Sequence, residues 1–193
     1  MAAEGSGALA RVRGGRALAS PPSPGDHVRT RTAVRSAHRR RPLPTAHTDE
    51  AIRAILEDAR TVAVLGASDK PYRAGCYVPD YLHEQGYGVV GVSPKLDGQA
   101  IFGSVAVGSL GDLEGAFDVL DVFRRSEELP GHEAEILAMQ PPPRVVWLQL
   151  GVRDDAFAER LRARGIVVVQ DRCMLAEHRR LGVRPRPRDA SAE

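Results

Sequence analysis

Five clusters of small, polar and cationic residues punctuate the apolar runs of this chain. They are Gly66-Ala67-Ser68, Ser93-Pro94-Lys95, Phe123-Arg124-Arg125, Gln149-Leu150-Gly151 and Asp171-Arg172-Cys173. Three of the five supply a cation, which suits an anionic ligand with several phosphates. Catalytic groups show no comparable grouping. The six histidines (27, 38, 47, 83, 132 and 178) are scattered, and no Ser/His/Asp or metal-spaced constellation is visible. Asp118 and Asp121 stand three apart in a strand-like run and so point to opposite faces, which argues against a paired-carboxylate site. Cys76 follows the first small-residue turn near a helix start, where its thiol pKa is expected to fall. For Cys76 and Cys173 alike, inert packing is the default.

Each cluster needs an element to hold it, and the runs between them supply one. Thr61–Leu65 is β-branched and apolar, long enough for one buried strand, and Gly66-Ala67-Ser68 breaks it. Tyr77–Gln85 reads as a helix that stops at Gly86. Gly88–Val92, Phe117–Phe123, Arg144–Leu148 and Ile166–Val169 read as further strands, with a weak strand signal at 105–107. A helix capped by Thr48 or Asp49 leads into the first strand, its Ile52, Ile55 and Leu56 on one face. Ser109–Leu113 reads as a short turn or helix, and Ser126 is expected to cap a helix over Glu127–Met139, with Pro130-Gly131 delaying its first turn and Pro141-Pro142-Pro143 ending it. A helix from Asp154 to Arg164 should end at Gly165, and a short one should reach Arg180. This alternation implies an α/β fold, a doubly wound parallel sheet of about five strands in a three-layer αβα arrangement. Ligands of such sheets bind at the carboxyl ends of the strands, where the five clusters fall.

The totals bound the rest. The chain of 193 residues is 42% hydrophobic, enough for one core plus tails. Residues 1–44 hold nine arginines against Glu4 and Asp26; with +2 for the whole chain, the remainder carries −5. The Pro-, Gly- and Arg-rich composition of residues 1–45 reads as a disordered basic extension. Its bland reading, a dispensable extension, outweighs a nucleic-acid arm or a transit peptide. The domain is expected at 46–181, followed by a disordered tail at 182–193. Two cysteines make no disulfide framework, which points to a reducing, cytoplasmic home. No apolar run approaches the roughly 20 residues needed to span a bilayer, so no membrane partner is expected.

The first turn departs from the dinucleotide fingerprint, with Ser68 and Pro71 where glycines would stand. The second strand ends in Ser93-Pro94-Lys95 rather than the acidic residue that binds the ribose of NAD. A lysine there favours a phosphorylated ribose, as in NADP or the 3′-phospho-ADP portion of coenzyme A. Taken together, Gly66-Ala67-Ser68-Asp69-Lys70-Pro71, Val92-Ser93-Pro94-Lys95, Asp121-Val122-Phe123-Arg124, Trp147-Leu148-Gln149-Leu150-Gly151 and Asp171-Arg172-Cys173 resemble the small, stand-alone, bacterial-type CoA-binding domain proteins, the YccU-like group. The resemblance runs from about residue 50 to 181. That group is similar to the nucleotide-binding domain of the succinyl-CoA synthetase α subunit, without its phosphohistidine segment or ligase partner domains.

The resemblance implies a Rossmann-like fold and coenzyme A as the cofactor. Gly66, Ala67 and Ser68 would lie against the diphosphate, and Ser93, Pro94 and Lys95 would meet the 3′-phosphate end. Val122, Phe123 and Arg124 would border the adenine or ribose, and Gln149 and Gly151 would flank the pantetheine. Arg73 is a candidate phosphate clamp on charge alone. Lys95 reads equally as a solvated loop lysine, and Arg124 and Arg125 as surface partners of Glu127 and Glu128. Trp147 reads as core. The expected function is a CoA or acyl-CoA binding module with no catalytic residues. The alternatives are a small NADP-dependent oxidoreductase, or a subunit of one, and a scaffold whose basic arm binds nucleic acid; nucleic acid is not the expected partner.

Overall fold

A computed structural model describes residues 48–187. In chain order the elements are α1 (Asp49–Asp58), β1 (Thr61–Leu65), α2 (Ala74–Glu84), β2 (Gly88–Val92), β3 (Ala100–Ile101), β4 (Ser104–Val105), β5 (Val119–Val122), α3 (Leu129–Ala138), β6 (Val145–Leu148), α4 (Asp155–Arg162), β7 (Val167–Val169) and α5 (Met174–Arg180). Five strands form one parallel sheet in the order β2-β1-β5-β6-β7. Successive strand residues face opposite layers. Val62, Val64, Val119 and Trp147 meet α1, α2 and α5, whereas Ala63, Leu65, Leu120 and Leu148 meet α3 and α4. Burial on both faces explains why these strands read as continuous apolar runs. The α/β class, the parallel sheet and its five strands are as expected.

Local differences have physical causes. Thr48 caps α1, its Oγ1 accepting from the Ala51 N–H at 3.2 Å. The second helix starts at Ala74, three residues before Tyr77. Ser126 does not cap α3. It opens a short 3-10 turn, and its Oγ accepts from the Arg153 N–H at 3.0 Å. Pro130 then falls in the first turn of α3, where a missing N–H costs nothing. Asp154 caps α4 by accepting from the Phe157 N–H at 2.9 Å, and Gly165 follows with φ +79°. The weak signal at 105–107 resolves into the β3–β4 hairpin and a bridge from Val107 to Val92, which covers the outer edge of β2.

Residues 182–187 were expected to fray and are instead held. The Arg186 guanidinium donates to the Leu56, Glu57 and Ala59 carbonyls and lies 4.4 Å from the centre of the Tyr87 ring. The expected disordered segments at 1–45 and 188–193 lie outside the described residues. At the amino end of β5, the buried Asp118 Oδ2 accepts from the Arg60 N–H (2.9 Å), the Thr61 N–H (3.2 Å) and the Thr61 hydroxyl (3.2 Å). Asp118 therefore ties strands together rather than serving a site.

Candidate functional site

A groove of about 1090 Å³ opens where β1, β2, β5 and β6 end, at the upper end of the roughly 300–1,000 Å³ usual for ligand sites. It brings together eleven of the twelve residues expected to bind the cofactor. Gly66, Ala67, Ser68 and Arg73 form one wall, Ser93, Pro94 and Lys95 another, and Phe123, Arg124, Gln149 and Gly151 complete it. Val122 is the exception. Its side chain is wholly buried in the layer against α3 and α4, because Val122 is the last paired residue of β5 and faces away from α2. A second recess of about 450 Å³ has Glu135 as its one charged lining residue, which disfavours an anion.

The first wall is built backbone on backbone. Gly66 has φ +89°, and a Cβ there would sit 2.7 Å from the Phe123 carbonyl oxygen; a Cβ on Gly75 would sit 2.7 Å from the Gly66 carbonyl oxygen. Only glycine permits both approaches. Pro79 lies inside α2 and has no N–H to give to the carbonyl of Gly75 four residues earlier. That freed carbonyl accepts instead from the Ser68 N–H at 3.0 Å. A proline inside the helix thereby fastens the loop to the helix start. The Ser68 amide is spent on this bond, and Ser68 Oγ accepts from the Lys70 N–H at 3.2 Å. What Ser68 retains for a ligand is its hydroxyl hydrogen.

Charge and open donors point to an anion. The groove is lined by Lys70, Arg73, Lys95, Arg124 and Arg125 against Asp69 and Glu127. No side chain caps the start of α2, where Ala74 and Gly75 line the groove, so the positive end of an 11-residue helix is presented to whatever binds. Arg124 Nε is buried without a hydrogen-bond partner, and a phosphate oxygen would satisfy it. Neither Arg124 nor Arg125 forms an ion pair among the described residues, which removes the surface-pair reading of both. Arg172 does not join them. Its guanidinium pairs with Glu177 at 3.1 Å and its carbonyl accepts from Trp147 Nε1 at 2.7 Å. Two strand ends, not three, therefore bring a cation into the groove, joined by Lys70 and Arg73 from the first loop.

Beneath the groove lies a pair invisible to linear reading. Gln149 Nε2 donates to both oxygens of the fully buried Asp121, at 2.8 and 3.0 Å. Burial pushes the Asp121 carboxyl up to about 7, against the opposing hydrogen bonds from Gln149 and the Val122 N–H. Trp147 is fully buried, as expected of a core residue. Cys173 lines the groove, while Cys76 packs against the core. Burial, with the nearby Asp80 and Asp69 charges, raises the Cys76 thiol pKa, opposite to the fall expected from its helix position. Loss of water and two carboxylates outweigh the helix dipole. Among the described residues no group of His, Cys, Asp or Glu could hold a metal ion, and no helix is long and apolar enough to cross a membrane.

The sequence and the fold have known relatives. Residues 60–179 match the family described as CoA binding domain. The uncharacterised Bacillus subtilis protein YneT is 35% identical over 127 residues, 66% of this chain and 91% of that protein. Among solved structures, a Thermus thermophilus protein described as cell-free ID.343 is 48% identical, with TM-score 0.67, over 70% of this chain and 99% of its own. A hypothetical protein from Pyrococcus horikoshii OT3 is 30% identical, with TM-score 0.61, over 75% and 98%. A cation-lined groove at the strand ends, an uncapped helix start and a match across nearly the whole folded part lead to one assignment: this chain belongs to the CoA binding domain family.

Proposed function

We propose that the chain binds coenzyme A, free or as an acyl thioester, in the groove at the strand ends, and that it acts as a binding module without a reaction of its own. The observation that carries this reading is the grouping of five cations and the open start of α2 around a single groove. An adenosine 3′-phosphate bearing a diphosphate offers the negative charge those groups call for. Lys95, at the end of β2, takes the 3′-phosphate; the Gly66–Ser68 loop and the first turn of α2 take the diphosphate; Gln149 and Gly151 flank the uncharged arm. The cytoplasm, with its reducing conditions, suits the two unpaired cysteines.

Titration calorimetry with CoA, acetyl-CoA, NADP and NAD tests this. CoA or acetyl-CoA should bind most tightly, and NADP binding tighter than CoA would overturn the assignment in favour of an NADP-dependent enzyme. Lys95→Glu should weaken CoA by about tenfold or more, the worth of one charge-assisted contact, while sparing dephospho-CoA. Equal losses for both would remove the 3′-phosphate from Lys95.

A further inference from the structure

Asp121 takes no part in holding an anion, yet it lies directly beneath Gln149 of the groove; the other carboxyl at that end, Asp171, accepts from the Gly151 N–H at 2.6 Å. It lies wholly buried on β5 between Val64 of β1 and Trp147 of β6. The face it shares is covered by α2 through Val78 and by α5 through Met174. Titratable or charged groups reach this region as Cys76 from α2, Cys173 and Arg172 from the start of α5, and Arg124 from the end of β5; Arg172 is occupied by Glu177. Asp121 forms no ion pair among the described residues. Its contacts are Gln149 Nε2 and the Val122 N–H. An apolar residue would fill this place at lower desolvation cost, so what Asp121 contributes is its effect on Gln149.

We propose that Asp121 is a positioning residue: it draws Gln149 Nε2 into the sheet and so leaves Gln149 Oε1 on the groove side, as a hydrogen-bond acceptor for the uncharged arm of the ligand. This rests on the CoA reading, because the pantetheine arm supplies amide N–H groups. An ionised carboxylate only accepts, so it holds the nitrogen of Gln149 inward. A protonated Asp121 carries an O–H whose buried partner is Gln149 Oε1, and that oxygen is then withdrawn from the groove. Arm recognition should therefore strengthen as Asp121 loses its proton. Adenosine 3′,5′-bisphosphate, which lacks the arm, should be indifferent to the change.

The test is titration calorimetry of the full-length chain with CoA and with adenosine 3′,5′-bisphosphate, at about pH 6 and about pH 8, on either side of the Asp121 titration. The ratio of the two affinities, divided by the same ratio in Asp121→Asn so that the ligands' own phosphate titrations near pH 6 cancel, should favour CoA about three- to tenfold more at the higher pH, the worth of one neutral hydrogen bond. Asp121→Asn is isosteric with the protonated acid and should keep only the pH dependence that the ligands' own phosphates bring. Gln149→Met keeps the volume without the acceptor and should do the same. A ratio that changes with pH in the same way in the unaltered protein and in Asp121→Asn overturns the inference. If the unaltered protein binds no CoA, the CoA reading falls together with it; if CoA binds and both proteins share one pH dependence, only the role of Asp121 falls.

Discussion

At the residue scale, the buried Asp121 carboxyl should leave a signature in stability as well as in binding. Its pKa is raised from an ordinary 3.8 to about 7 in the folded state. Between those values the folded chain holds a proton that the unfolded chain has released. Its contribution to stability is thus fully present below about pH 4, declines as pH rises through the window, and is flat above about 7. Asp121→Asn removes the slope. Urea unfolding of both forms across that range should show the stability of the unaltered protein falling with pH relative to the variant, by about 1–4 kcal/mol in all. His178 works in the opposite direction. Burial, with Arg186 and Arg179 nearby, lowers its pKa, so its contribution is lost as pH falls below the ordinary 6.5. His178 is present in both proteins and cancels in the difference.

At the element scale, the loop after β1 and the start of α2 behave as one piece, and Pro79 is the reason. Pro79→Ala would restore an N–H that competes with Ser68 for the Gly75 carbonyl. Amide hydrogen exchange should then show the Ser68 amide losing protection, by about tenfold for one weakened hydrogen bond. Unchanged protection would mean the loop is held by packing alone. This coupling was not legible in the sequence. Pro79 is the sixth residue of α2, and its use appears only when the loop carbonyls and amides are placed together. The strands were legible, because residues buried on both faces form unbroken apolar runs. Eleven of the twelve candidate site residues were legible as groove lining because strand ends in such a sheet converge on one edge. Val122 entered the site by resemblance, and strand alternation takes it out: Phe123 beside it turns toward the groove while Val122 turns away. The Asp121–Gln149 pair needs the register of β5 against β6, which no local pattern encodes. Ser126 kept the side chain of a helix cap but gave it to Arg153, a partner 27 residues away.

At the scale of the whole molecule, the two ends of the described chain are fastened to each other beneath the sheet. Arg186 satisfies carbonyls at the end of α1 and stacks on Tyr87. Arg186→Ala should cost about 2 kcal/mol, from several hydrogen bonds and a cation–π contact. Thermal unfolding should show the loss, while CoA affinity should hold, because the groove lies at the opposite end of the strands. The central strand carries a further constraint. Its two buried carboxylates face opposite layers, Asp118 bound to Thr61 at the base and Asp121 bound to Gln149 under the groove. A slip of β5 by one residue would turn each toward the wrong layer and strip both of their partners. Polar groups that cost stability in the native state thus act as a proofreading key, admitting the middle strand to the sheet in one alignment and penalising its near-misses during folding.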